Sequence, residues 1–289
     1  MLSAQVVVAL VLTQYVRSHV DRDDPSSPCL WWQENSVIAV EQSTPGNPET
    51  MGTEFAAVSA ALATWGAPME ACGSIRFDEL PRTPSRVVAE DGRNVVLFRL
   101  VDCNDVMPAC SSPATCGNQR DCWEHANGAL AITSTFYDHA TGRISDSDVE
   151  FNTPGFLLTT VDSPVCVAPN FNLTCVASDI QNTMTHEAGH LLGLTHSPDP
   201  ASTMALRAVP GELSKRVLDA DSTRFICNVY PAGKAARGCQ EAFDGELGKA
   251  AGCATMPGAA LAVLALLLAR RWRSRRPGAL RSASPRIES

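Results

Sequence analysis

The chain has 289 residues, of which 45% are hydrophobic and 19% are charged, a balance that excludes a disordered or fibrous protein. Its formal net charge of −8 hides an asymmetry, because residues 270–289 carry seven arginines against one glutamate and leave −14 for residues 1–269. Nucleic-acid binding needs a basic surface that neutralises phosphates, so this acidic body excludes a nucleic-acid partner. The 11 cysteines include no CxxC pair and indicate a disulfide-bonded protein of an oxidising compartment.

Residues 2–12 form an apolar run that has the length of a signal-peptide core and is too short to span a membrane. We therefore expect an export signal in residues 1–18, with cleavage between Thr13 and Ser18. No lysine or arginine precedes the run and no A-x-A site follows it, so a buried first strand is the alternative.

The first predicted helix covers residues 49–65. Phe55, Val58, Leu62 and Trp65 stand at helical spacing in it, which predicts an amphipathic helix with one buried stripe.

The elements that follow are mostly strands. Apolar runs predict them at residues 74–77, 94–100, 129–137 and 149–152. A polar stretch with four cysteines, residues 103–122, predicts an irregular excursion held by disulfides. Two further helices are expected at residues 179–192 and 214–230, before a Gly/Ala-rich linker.

Ten cysteines lie in the body of the chain and one, Cys253, stands apart in the tail. We expect an even disulfide framework in the body with Cys253 unpaired. Short sequence separation favours a pair between Cys166 and Cys175 and another between Cys227 and Cys239. The remaining connectivity is open.

The segment THEAGHLLGLTHS carries the chemistry. His186 and His190 lie four residues apart, so on a helix they project about 40° from each other and can bind one metal ion. Glu187 lies beside them, where it can reach a metal-activated water as general base without being a ligand. Gly193 lets the chain leave the helix, so that His196 can become the third ligand. Three neutral nitrogens and one open position are typical of a catalytic zinc site.

This segment resembles that of the metzincin metalloproteases, and Ser197 after the third histidine makes it similar to the matrixin branch. The resemblance, looser outside the zinc helix, covers about residues 29–230. It implies an α+β fold: a mixed twisted sheet of about five strands with three helices, and the zinc in a cleft under the edge strand. It also implies that Met204 lies in a tight turn beneath the zinc.

The resemblance further implies where a polypeptide substrate lies. An extended chain would add a strand to the edge strand, and the segment after Met204 would set the side-chain preference. The substrate-binding residues implied in this way are Gly128, Ala129, Leu130, Ala131 and Leu206. Ile132 and Glu150 stand where matrixins have two histidines of a second, structural zinc, so the sequence argues against that site; it says nothing of calcium.

The tail has 17 uncharged residues, 253–269, followed by a cluster of arginines. Such a run can just span a membrane, with the arginines in the cytoplasm and the body outside. The tail resembles the C-terminal sorting signals of myxobacterial surface proteins, which implies processing near Cys253 by a sorting protease and anchoring at the cell surface. The chain continues past the arginines, so plain membrane retention is the alternative.

Four parts result: a signal peptide (1–18), a matrixin-like zinc metalloprotease domain (19–240), a linker (241–252) and a sorting or transmembrane segment (253–289). The sequence predicts an exported zinc-dependent endopeptidase with one catalytic zinc ion. Two alternatives remain, a zinc hydrolase that acts on a non-peptide envelope substrate and a surface binding module without turnover.

Overall fold

The computed structural model of the chain describes residues 15–108, 110 and 115–239, all within one compact unit, Met1–Glu241. Most of the expected signal segment, the linker and the C-terminal segment lie outside the described residues, and so does Cys253. Among the residues that are described, no helix combines the length and the apolar composition needed to cross a membrane.

A five-stranded mixed sheet forms one layer of the described fold. Its order is β2-β1-β3-β5-β4, and every neighbouring pair is parallel except β4 and β5, so β4 is an antiparallel edge strand. This confirms the expected α+β class. The strands are β1 (Val37–Gln42), β2 (Arg76–Glu79), β3 (Asn94–Arg99), β4 (Ala131–Tyr137) and β5 (Ile144–Asn152). Two short strands, β6 (Leu158–Thr159) and β7 (Ser178–Asp179), pair separately.

The short strands β6 and β7 were not predicted, and β2 begins two residues later than expected. Two other strands, β1 and β5, differ more from the sequence expectation. The strand β1 was not predicted, although buried and less buried residues alternate along it and it pairs with both β2 and β3. The strand β5 begins at Ile144 and not at Val149, because its first half is polar but buried. In this half, the buried side chain of Asp148 accepts a 2.8 Å hydrogen bond from the Val95 backbone N–H, which compensates for its burial. A search for apolar runs does not detect a strand of this kind.

The helices pack on this sheet. The first, α1 (Thr53–Cys72), is longer than predicted, and all four residues of its expected stripe are buried. The indole of Trp65 donates a 2.8 Å hydrogen bond to the carbonyl of Thr185 and so ties α1 to α3 (Ile180–Leu191). A short α2 (Cys116–Arg120) lies in the cysteine-rich excursion, where no helix was predicted.

Asp side chains fix where the last two helices begin. Asp179 accepts a 2.7 Å hydrogen bond from the Asn182 N–H at the start of α3. The predicted helix at residues 214–230 is divided into a 3-10 turn, Ser214–Arg216, and α4 (Ala220–Val229). The division arises because Asp219 is extended and accepts from two N–H groups of the first turn of α4, so a new helix begins there.

Five disulfides join the ten described cysteines, as the expected framework requires. Of the two predicted pairs, the one between Cys166 and Cys175 is confirmed. The pair between Cys227 and Cys239 is wrong: α4 packs on α1, which brings Cys227 to Cys72, whereas Cys239 lies beside Cys29. The other two join Cys103 to Cys122 and Cys110 to Cys116.

The described N-terminal segment, residues 15–22, lies along the loop that follows α3. The Thr195 N–H donates to the carbonyl of Val16 at 2.9 Å, and the Ser18 N–H donates to that of Gly193 at 2.9 Å. Further along, the hydroxyl of Tyr137, the last residue of β4, donates to the carbonyl of Val20. This segment therefore forms a wall beside the histidine motif of residues 186–196.

Candidate active site

A cleft of about 1020 Å³ lies between the edge strand β4 and helix α3. Its lining includes the three histidines and the glutamate of the motif. It also includes every residue that the resemblance implied for substrate binding, namely Gly128, Ala129, Leu130, Ala131 and Leu206.

The three histidines converge on one point. The Nε2 atom of His190 lies 3.1 Å from Nε2 of His186 and 3.2 Å from Nε2 of His196. His186 and His190 come from successive turns of α3, and His196 reaches them after a turn at Gly193, where φ is +100°. A Cβ atom on Gly193 would lie 2.5 Å from the carbonyl oxygen of Leu30, so both the backbone conformation and the space require glycine.

The outer nitrogens of two histidines are fixed by backbone carbonyls. Nδ1 of His186 donates to the carbonyl of Thr203, and Nδ1 of His190 donates to that of Leu194, each at 2.8 Å. A ring that donates from Nδ1 keeps a lone pair on Nε2, which here faces the common centre. Tetrahedral zinc with bonds of 2.0–2.1 Å would hold such nitrogens about 3.3 Å apart, so the donor set fits zinc.

These imidazoles are neutral at physiological pH. Burial, with smaller contributions from the neighbouring histidines, holds the pKa of His186 well below 6.5 and lowers that of His196 to about 4. Burial also lowers the pKa of His190, although its hydrogen bond to the Leu194 carbonyl acts in the opposite direction. Neutral imidazole is the form that binds a metal ion.

Glu187 is buried next to this centre. Its Oε2 atom accepts a 2.6 Å hydrogen bond from the hydroxyl of Thr133 on the edge strand. Burial raises the pKa of Glu187 to about 7, and the hydrogen bond from Thr133 acts against that rise. A carboxyl group with a pKa near the working pH can both accept and return a proton.

One family model matches the part of the chain that carries these groups. Residues 118–231 match the Matrixin family model. The match includes the edge strand, the three histidines, Glu187 and helix α4, and it supports a zinc metalloprotease family. It covers fewer than half of the residues of the chain, and strands β1–β3 and helix α1 lie outside it. No curated protein matches the chain.

Within the segment that the family model matches, Met204 lies buried under α3. Gly189 stands between the two helix histidines, and a Cβ atom there would lie 2.3 Å from the Met204 sulfur and 3.2 Å from the Trp65 ring. The carbonyl of Thr203, one residue before Met204, accepts from His186, and the Thr203 N–H donates to Asp219 at 2.7 Å. The turn at Met204 thus connects the histidine centre to the start of α4.

We expect Gly189→Ala to lower the free energy of unfolding by about 1 to 2 kcal/mol, because overpacking against Met204 outweighs the gain in helix propensity. Gly66→Ala on α1 is the matched control, since its Cβ atom would meet nothing within 4 Å; it should raise stability slightly. Denaturant unfolding with the disulfides intact measures both. Equal stability changes in the two variants would contradict the close contact at Gly189.

An ion-pair network surrounds Glu150, one of the two positions where the resemblance implied a histidine of a structural zinc site. Ile132 and Glu150 stand opposite each other on β4 and β5. The buried Glu150 carboxylate accepts from Arg99 Nε at 2.6 Å and contacts His125 Nε2 at 2.9 Å. Burial raises the pKa of Glu150, but the hydrogen bond from His125 and the charge of Arg99 outweigh it and keep that pKa below its usual value.

Among the described residues, three groups of His and Cys side chains bring three donor atoms together. Two of these groups contain cysteines that are joined in disulfides. Only the histidine triad therefore offers three free donors in the part of the chain that the structure describes.

Sequence reasoning missed several residues around this centre. It did not single out Thr133 as the partner of Glu187, nor the Thr203 carbonyl as the partner of His186. It also missed Arg17 and Arg22 in the cleft wall. These residues have no motif of their own, and only the fold brings them to the histidines.

Proposed function

We propose that the protein is an exported zinc-dependent endopeptidase whose catalytic zinc is held by His186, His190 and His196. The observation that carries this proposal is the convergence of three neutral imidazoles beside the buried carboxyl group of Glu187, in a cleft under a sheet edge that pairs with no described strand. The match of residues 118–231 to the Matrixin family supports the same chemistry.

Zinc bound at this centre supplies Lewis acidity, which polarises a carbonyl group and makes a water molecule more acidic. The chain's own contribution is to hold the ligands in one tautomer. The carbonyls of Thr203 and Leu194 orient the rings of His186 and His190, so no reorganisation is needed when the metal binds.

Glu187 acts as the general base. Its carboxylate accepts a proton from the water that attacks the scissile carbonyl and then donates this proton to the leaving amine. Thr133 holds the carboxyl group through Oε2, and burial keeps its pKa close to 7. A site that only bound a ligand would need no titratable group of this kind, and this argues against a pure binding module.

The substrate lies as an extended polypeptide along β4. The outer edge of β4 pairs with no strand of the described sheet, and Gly128, Ala129, Leu130 and Ala131 line the cleft along it. A peptide backbone can hydrogen bond to such an edge and add a further strand. Leu206 lines the cleft from the segment after Met204, where a substrate side chain would be selected.

Two experiments separate this function from its alternatives. Cleavage of an unstructured protein that stops on chelation and returns with zinc distinguishes a peptidase from a binding module. Analysis of products from peptides and from cell-wall fragments distinguishes a peptidase from a zinc hydrolase of a non-peptide bond. Cleavage of cell-wall fragments alone would refute the endopeptidase.

We further propose that the protein acts outside the cell, either at the surface or after release. Export would follow from the N-terminal signal, with cleavage before Tyr15, because residues 15–18 pack beside the loop that follows α3. Anchoring would follow from the apolar run and arginine cluster in residues 253–289. Processing near Cys253 by a sorting protease would anchor the body at the surface or release it.

Deleting residues 253–289 should yield a soluble enzyme with full peptidase activity, because the histidines and the described lining of the cleft lie within residues 15–239. The full-length chain, fractionated in parallel, is the control and should remain with the membranes. Membrane association of the shortened chain would contradict the anchor in the tail.

A further inference from the structure

The charges that line the cleft are opposite in sign to the charge of the protein. Apart from Glu187, every charged residue in the cleft lining of the described structure is basic: Arg17, Arg22, Arg207 and Lys215. The chain as a whole has a net charge of −8. A cleft with this lining attracts acidic groups over a short range, because salt screens the remaining charges beyond roughly 8–10 Å.

Two of these cations already have partners. Arg17 donates to the backbone carbonyls of Leu30 and Arg237. Lys215 is buried, and its Nζ atom contacts the Arg207 carbonyl at 2.8 Å and a Glu212 carboxylate oxygen at 2.9 Å.

The other two cations are free to meet a substrate. Arg22 and Arg207 are exposed, and within the described residues neither guanidinium makes a hydrogen bond or an ion pair. They come from separate segments of the chain, one before β1 and one after Met204.

Contacts of their neighbours place the segments that carry these two arginines toward opposite ends of the edge strand. Arg22 follows Val20, which contacts Tyr137 at the end of β4. Arg207 precedes Ala208 and Val209, which share a smaller cavity with Leu130 just before β4 begins. The seven residues of β4 extend over about 20 Å, so a peptide along this edge passes one arginine on each side of the metal ligands.

We infer that the cleft selects acidic polypeptide segments, with Asp or Glu side chains of the substrate pairing with Arg22 on one side of the cleaved bond and with Arg207 on the other. This inference rests on the proposed peptidase function and names its substrate class. The groups recognised are carboxylates on an extended chain, because the sheet edge supplies backbone pairing that a non-peptide polyanion cannot use.

The test is to map cleavage sites by mass spectrometry in a mixed peptide digest with the zinc-loaded protein. We expect Asp and Glu to be enriched over Asn and Gln on both sides of the cleaved bond, by about two- to fivefold per arginine, as exposed ion pairs allow. Arg22→Ala should remove the enrichment on one side and Arg207→Ala on the other. Raising the salt concentration should reduce both enrichments.

Arg120→Ala is the matched control, because Arg120 is exposed on α2 and outside the cleft lining; its profile should equal that of the unaltered protein. Equal use of acidic and amide residues, with cleavage otherwise intact, would overturn this inference and leave the peptidase standing. Enrichment that survives both substitutions would also overturn it. No zinc-dependent cleavage of any peptide would overturn the proposed function and the inference together.

Discussion

Replacing Glu187 with alanine should leave zinc binding intact and lower kcat for peptide hydrolysis by at least about 10²- to 10⁴-fold, the usual contribution of a general base. The carboxyl group is buried beside the metal ligands and is held by Thr133, but it lies outside the converging set of imidazole nitrogens. The variant should therefore fold and bind one zinc per chain. Metal analysis and steady-state kinetics on the same preparation measure both quantities.

Glu187→Gln is the closer control, since it keeps the size of the side chain and an oxygen that can accept from Thr133. It should lose turnover as Glu187→Ala does, because an amide cannot accept the proton of the attacking water. If either variant kept near-wild-type turnover with its zinc in place, Glu187 would not be the base.

His190→Ala should lose zinc and turnover together. Nε2 of His190 is the atom that lies within 3.2 Å of both other ligand nitrogens, so its removal leaves two donors where a stable site needs three. Without the Lewis acid, several kcal/mol of transition-state stabilisation are lost, and turnover should fall by at least about 10³-fold.

His139→Ala is the matched control for this loss, because His139 is exposed and does not line the cleft. It should keep both zinc and activity. A His190→Ala protein that retained a full equivalent of tightly bound zinc would contradict the ligand set.

The sequence predicted the histidine helix well because the information there is local. The spacing of His186 and His190 and the glycine at position 193 act within one helix and one turn, and the structure places them as expected. The α+β class was likewise predictable. So was the disulfide between Cys166 and Cys175, whose loop is short.

What the sequence could not show depends on pairing between distant segments. The buried polar residues of β5 find hydrogen-bond partners on the neighbouring strand β3: the Val95 N–H donates to Asp148, and the side-chain oxygen of Asn94 accepts from the Ser147 N–H. A search for apolar runs cannot detect such pairing, so the beginning of β5 was missed. The disulfide between Cys72 and Cys227 forms because α1 packs against α4. The spacing of cysteines in the sequence does not contain this information.

The wall of the cleft also depends on contacts between residues that are far apart in the sequence. Residues 15–22 lie next to the third histidine because Ser18 contacts a loop that follows 176 residues later in the chain. Likewise, Arg99 on β3 pairs with Glu150 on the neighbouring strand β5. In the sequence, Glu150 was notable only because it replaced an expected histidine, and its charged partner became visible only in the fold.

The most direct test of the central claim is to titrate the metal-free protein with zinc while following peptide cleavage. The account predicts that activity rises linearly up to one zinc per chain and is constant thereafter, because one triad of free histidine donors is present among the described residues. Full cleavage without added metal, or activity that saturates only at two zinc ions per chain, would contradict a single catalytic zinc held by His186, His190 and His196.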